Sequence, residues 1–216
     1  MRKRVMALIS ILCLFAAAAR AEDLDAAVKR DFEGWRIFEQ ASGDINGDGA
    51  ADTAAILFKP AKEEGAPGAA MLAVYVAGAL HTQAPKAICV GCGGPKAAFD
   101  QPLGTLKITD KGLLEIDYQG GSREAFDDLL KFRLDKDSGK FLLIGETRTV
   151  TDTVGEEPQQ TLDINYASLK MTKTFGKILR NCKLDASFRG AELSVFDYDE
   201  QHAEDIEKIS EACAIE

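Results

Sequence analysis

Leu113-Leu114-Glu115-Ile116-Asp117-Tyr118 decides the fold. Leu114, Ile116 and Tyr118 fall on one side of an extended chain and Glu115 and Asp117 on the other, which is the period-two alternation of a strand with one face in water. Working outward, similar runs recur between turn signals: Thr53 to Phe58, Met71 to Ala77, His81 to Val90, Gly104 to Thr109, Leu129 to Leu134, Phe141 to Val150 and Gln160 to Met171. Each is apolar or alternating over a strand's length and is bounded by Gly, Asp, Lys or Pro. The connections Ala77-Gly78-Ala79, Asp110-Lys111-Gly112 and Asp135 to Lys140 are of hairpin length, so successive strands should run antiparallel.

Helical spacing occurs only at the two ends. Leu24, Ala27, Val28 and Phe32, with acids crowding the first turn, predict a short helix from Glu22 to about Phe32. Ile206, Ile209 and Cys213 predict a second within Asp197 to Cys213, N-capped by Asp197 or Asp199. A parallel α/β arrangement needs regular helices between the strands, and the middle of the chain lacks them. The expected fold is therefore mainly β (α+β): an antiparallel β meander or curved sheet with a short N-terminal helix and a C-terminal helix. Lys59 to Pro67 reads as a polar loop.

Arg2, Lys3 and Arg4, the apolar run from Val5 to Ala19 and the triplet Ala19-Arg20-Ala21 have the order of a cleavable secretory signal peptide. Residues 1–21 are read as that leader and 22–216 as one β-rich domain, periplasmic or secreted. The apolar run falls short of the roughly 20 residues of a membrane span, so no stable span is expected after cleavage. Without the leader the chain carries 22 bases against 35 acids, a net of −13. That balance argues against nucleic acid or anionic lipid as partner and fits divalent cations or basic partners better.

Four cysteines remain after cleavage, Cys89, Cys92, Cys182 and Cys213, and an even number in an exported chain implies disulfides. Three pairings are possible. Cys89 with Cys92 and Cys182 with Cys213 is favoured, because the second pair ties a C-terminal helix to the body. Cys89-x-x-Cys92 resembles a redox motif in spacing, but Gly93-Gly94-Pro95 behind it cannot begin a good helix, so a structural disulfide is expected.

One segment carries cation chemistry. Gly43-Asp44-Ile45-Asn46-Gly47-Asp48-Gly49-Ala50-Ala51-Asp52 sets oxygen-bearing side chains at loop positions 1, 3, 5 and 9, with glycine at position 6 for the sharp turn. Calcium takes six to eight oxygens, and this spacing can wrap them around one point. Asp44, Asn46 and Asp48 would ligate through side chains, Ala50 through its carbonyl, and Asp52 directly or through water. Position 12, a bidentate glutamate in a helix-loop-helix calcium hand, is Ala55 here, and the segment from Thr53 to Phe58 is β and not helical in character. The competing reading is a tight turn held by Asx side chains alone. A structural calcium ion is the cofactor expected.

The loop resembles the D-x-N-x-D-G-x-x-D calcium loops of FG-GAP propeller repeats, which lead directly into a strand; this chain has one such loop, not a propeller's series. Read end to end, the chain is also similar to a family of exported bacterial proteins of undetermined function. The carrying motifs are Gly43 to Gly49, Cys89-Val90-Gly91-Cys92-Gly93-Gly94, Tyr118-Gln119-Gly120-Gly121-Ser122-Arg123 and Leu143-Ile144-Gly145. A strand through Ile164-Asn165-Tyr166 and a lysine-bearing stretch from Lys170 to Lys183 continue the likeness. It implies a compartment, not a reaction.

No nucleophile elbow, His-Glu-x-x-His or Walker-type glycine loop is present. His81 and His202 are the only imidazoles, and nothing in the spacing ties either to a nucleophile. Gly120 to Arg123 reads as a hairpin turn, and the acids from Asp197 to Asp205 as a solvated helix face. No catalytic residue is assigned. The expected function is a noncatalytic exported binding module with a calcium loop and an envelope or extracellular protein partner. The alternative is an extracytoplasmic hydrolase using carboxylates that sequence spacing does not reveal. Two facing carboxylates with perturbed pKa values in a deep pocket would favour it.

Overall fold

The computed structural model describes residues 23–61, 68–90 and 102–213. The leader and Cys92 lie outside the described residues. The chain is mainly β, as the alternation predicts, but its strands form two antiparallel sheets and not one. The first is a four-stranded meander of β1 (Arg36–Gly43), β2 (Asp52–Lys59), β3 (Ala69–Val76) and β4 (Ala79–Ala84). The second is a seven-stranded meander of β5 (Thr105–Ile108), β6 (Leu113–Gly121), β7 (Glu124–Asp135), β8 (Lys140–Asp152), β9 (Gln160–Asn165), β10 (Lys170–Phe175) and β11 (Ile178–Lys183).

Alternation explains how the sheets pack. Leu114, Ile116 and Tyr118 of β6 point inward with Leu130 and Phe132 of β7 and Leu162 and Ile164 of β9, and they share one core with Ile56, Leu72 and Val74 of the smaller sheet. Ala55, Leu57, Ala73 and Tyr75 point the other way, where α1 (Leu24–Asp31) covers them with Ala27 and Val28. That two-sided burial is why β2 and β3 read as nearly continuous apolar runs whereas β6 alternates.

The C-terminal part closes the rest of the core. Two short 3-10 turns, Ala186–Phe188 and Leu193–Val195, lead into α2 (Gln201–Glu211), and Leu193, Phe196, Tyr198, Ile206 and Ile209 are buried there. Cys182 of β11 is joined to Cys213 just past α2, the pairing favoured from sequence. On the chain-entropy account, closing a loop of this size stabilises by about 3–4 kcal/mol. Cys89 is also disulfide-bonded.

Several boundaries differ from expectation. The run from Gln160 to Met171 is not one strand: Leu169 adopts φ 54° in a turn that folds it into the β9–β10 hairpin. His81 to Val90 ends as a strand at Ala84 and goes on as turns. The helix begins at Gln201, and Asp197 supports its start by accepting from the Glu200 N–H at 3.2 Å. β1 and β11 have no apolar run to betray them, being mostly exposed along their length.

Candidate functional site

β8 changes partner part-way along. From Gly145 to Val150 it pairs with β9. Ahead of Gly145 the neighbour is the segment between the two 3-10 turns: Leu142 bridges to Glu192, and the Leu143 N–H donates to the Ala191 carbonyl at 2.9 Å. Gly190 makes this possible, because a Cβ there would stand 1.7 Å from the Leu143 carbonyl oxygen. The sheet therefore forks at Gly145, with the end of β9 on one side and Arg189-Gly190-Ala191 on the other.

Two clefts open at the fork, both bordered by Leu143, Tyr166, Arg189 and Gly190. One, of about 310 Å³, runs under α2 between Phe188, Val195, Phe196 and Ile209, with His202, Asp205 and Lys208 among its polar walls. The other, of about 300 Å³, lies against Arg133, Leu142, Ile144 and Leu169.

Behind the first cleft lies a buried polar node. Asp128 of β7, Glu146 of β8 and His202 of α2 offer ligand atoms all within 4.8 Å of one another. All three are buried, Asp128 at 0% exposure, Glu146 at 1% and His202 at 5%. Register explains the gathering: Leu130 opposes Glu146 and Asp128 opposes Arg148, so acids two residues apart in register point into the same core. Glu146 accepts from the Tyr166 hydroxyl at 2.7 Å and pairs with His202 Nε2 at 3.2 Å. Asp128 Oδ2 meets the Arg148 guanidinium at 3.2 Å and the Tyr198 hydroxyl at 3.3 Å. Tyr198 stacks on Tyr118 with ring centroids 3.8 Å apart.

The protonation states are set by this geometry. Burial, and then the charge of Glu146, push the Asp128 carboxyl up to about 9 against the pull of Arg148. Burial also raises Glu146, but His202, Tyr166 and Asp128 together outweigh it and hold that carboxyl below the usual range. Asp128 thus keeps a proton and Glu146 stays ionised. Asp128 Oδ1 is buried and has no hydrogen-bond partner among the described residues. Burial raises Tyr118, Tyr166 and Tyr198 as well, so the phenols remain donors. Two oxygens and an imidazole could in principle hold a transition metal.

Asp44, Asn46, Asp48 and Ala50 come together in a single turn between β1 and β2. Asp44 Oδ1 accepts from the N–H groups of Gly47 and Asp48 at 2.7 and 3.2 Å, and Oδ2 from Gly49 at 2.9 Å. Asp48 accepts from the Ala50 N–H at 2.7 Å and from the Asn46 amide at 2.8 Å. Gly47 and Gly49 take positive φ, 78° and 84°. Asp52 turns inward: 1% exposed, it accepts from the Ile45 and Ala77 N–H groups, each at 2.9 Å. Asp52 thereby ties this loop to the β3–β4 turn. The loop also rests on the β5–β6 turn, since a Cβ on Gly112 would stand 2.9 Å from the Ile45 carbonyl oxygen.

Sequence reasoning missed Asp128, Glu146 and the fork. Its one available signal was chemical: Asp128 and Glu146 interrupt the inward apolar positions Leu130, Phe132, Phe141 and Leu143 of β7 and β8. No family model matches the chain, and no curated protein or solved structure matches it.

Proposed function

We propose that this is a noncatalytic, exported binding module whose ligand surface is the cleft under α2, with the Asp44–Asp52 loop as a structural calcium site. The observation that carries the reading is the burial of the facing carboxylates Asp128 and Glu146 behind the cleft. Asp128 and Glu146 are perturbed as a hydrolase's acids would be, yet at 0% and 1% exposure they touch no solvent-filled space. Only His202 and Tyr166 of the node reach the cleft wall. A general acid or base must stand within hydrogen-bond reach of substrate, and these two carboxyls do not. Their role is to fix His202, and through it α2, against β8.

The same pair supports a second reading, a hydrolase with His202 as base oriented by Glu146, because His202 lines the cleft. Assay of the mature protein against ester, phosphoester, glycoside and peptide substrates separates the two. The binding reading expects no turnover. Turnover that vanishes in His202→Gln while the fold persists would establish the hydrolase instead. The calcium assignment rests on the four-position spacing and the glycine at position 6. Calorimetry should give a one-to-one isotherm with calcium, absent in Asp44→Ala; no heat at millimolar calcium would remove the ion from the account.

A further inference from the structure

We infer that the fork at Gly190 binds a small amphipathic organic anion, a carboxylate with an apolar body, and that Arg189 recognises its charge. The inference rests on the binding reading above and names the class of ligand. Charge is the first argument. The acids of the first cleft already have cations: Asp197 is held by Lys86 at 2.6 Å, and Asp205 lies 3.9 Å from Lys208. Arg189 has no hydrogen bond or ion pair among the described residues. The second cleft contains Arg133 and Arg189 and no acidic residue at all. In a chain this acidic, two arginines lining one acid-free cleft form a local exception, and a guanidinium fork suits a carboxylate's two oxygens.

Apolar walls are the second argument. Leu143, Phe188, Phe196 and Ile209 line the first cleft, and Val195 stands at it with 75% of its surface exposed. The fold does not need an exposed valine there, whereas a hydrocarbon body lying across it would cover it. Volume is the third. At about 310 Å³ the cleft is at the small end of ligand pockets, which suits a metabolite-sized body. The rigid approach of Gly190 to β8 keeps Arg189 at the boundary of both clefts.

The test uses the mature chain with three probes of one length: octanoate, 1-octanol and octylamine, monitored by calorimetry and by amide shifts in NMR. Octanoate should bind, shifting Tyr166, Gly190 and His202, with octanol at least tenfold weaker and octylamine weaker still. Arg189→Gln, an exposed substitution that should leave the melting temperature unchanged, should bring octanoate down to octanol's level. Octylamine binding as tightly as octanoate overturns the inference, as does an octanoate preference that survives Arg189→Gln, shifts confined to other parts of the chain, or silence of all three probes. The substrate panel judges the noncatalytic reading independently, so a wrong ligand class and a wrong function give different results.

Discussion

Two acidic regions of this protein invite comparison. The Asp44–Asp52 loop gathers its oxygens from nine consecutive residues, with Asp48, Gly49 and Ala50 exposed. The Asp128, Glu146 and His202 node gathers its groups from β7, β8 and α2, all buried. In the loop, Asp44 and Asp48 are stabilised by N–H groups a few residues away, and only Asp52 reaches further, to the Ala77 N–H. In the node, each group is stabilised by another side chain, so removing one strands the others. Spacing along a chain betrays the first kind of site, and only register betrays the second.

The largest expected effect breaks the node. Glu146→Ala removes the acceptor of the Tyr166 hydroxyl and the partner of His202 Nε2, both buried. Losing one partner of a buried charged network costs about 3–5 kcal/mol. Chemical denaturation of the mature protein measures this, and a loss below 1 kcal/mol would show that the node does not hold α2 in place.

Legibility in the sequence divides along the same line. The alternation of Leu114, Ile116 and Tyr118 sufficed to predict an antiparallel strand, because inward and outward faces meet such different solvents. The loop was legible because glycine at positive φ and Asx side chains act over short range. The second sheet was not, since nothing local tells a meander to break between β4 and β5. β1 was missed because its positions alternate between exposed and part-buried, with none fully buried, and Arg36, Glu39 and Gln40 carry no core pattern. Asp128 and Glu146 lie 18 positions apart, and their meeting depends on a β7–β8 register that a bulge at Lys131 and Phe132 adjusts. The fork needs still more, the return of Ala191 and Glu192 from beyond β11 to the edge of β8 at Leu142 and Leu143.

Within the loop the same contrast recurs on a smaller scale. Asp52→Ala strands the buried Ile45 N–H and the Ala77 N–H, and should cost about 2–4 kcal/mol at one to two per orphaned donor. Asp44→Ala removes three N–H contacts that water can replace, and should cost about 1 kcal/mol without calcium. Melting of both variants with and without calcium tests the ordering. Equal losses in calcium-free buffer would mean that Asp52 is no more embedded than Asp44.

The smallest effect at acid pH is the most discriminating. Asp128→Asn keeps the shape and replaces the carboxyl proton with an amide donor toward Glu146, so near pH 5 stability should change by less than about 1 kcal/mol. The two proteins should then diverge as pH rises. Asp128 is raised from 3.8 to about 9, so its favourable contribution is complete below its unfolded value and is lost as pH climbs toward the folded one. The wild type should therefore lose stability relative to Asp128→Asn between pH 5 and 9, by at most ~1.4 kcal/mol per pH unit for one proton. Glu146 acts oppositely: lowered in the fold, chiefly by His202 and Tyr166 against burial, it contributes above its unfolded value and loses that contribution in acid. Urea titrations at pH 5, 7 and 9 read the difference directly. Parallel pH profiles would mean that Asp128 is ionised in the fold, with Arg148 alone carrying its charge, and the shared proton would have to be abandoned.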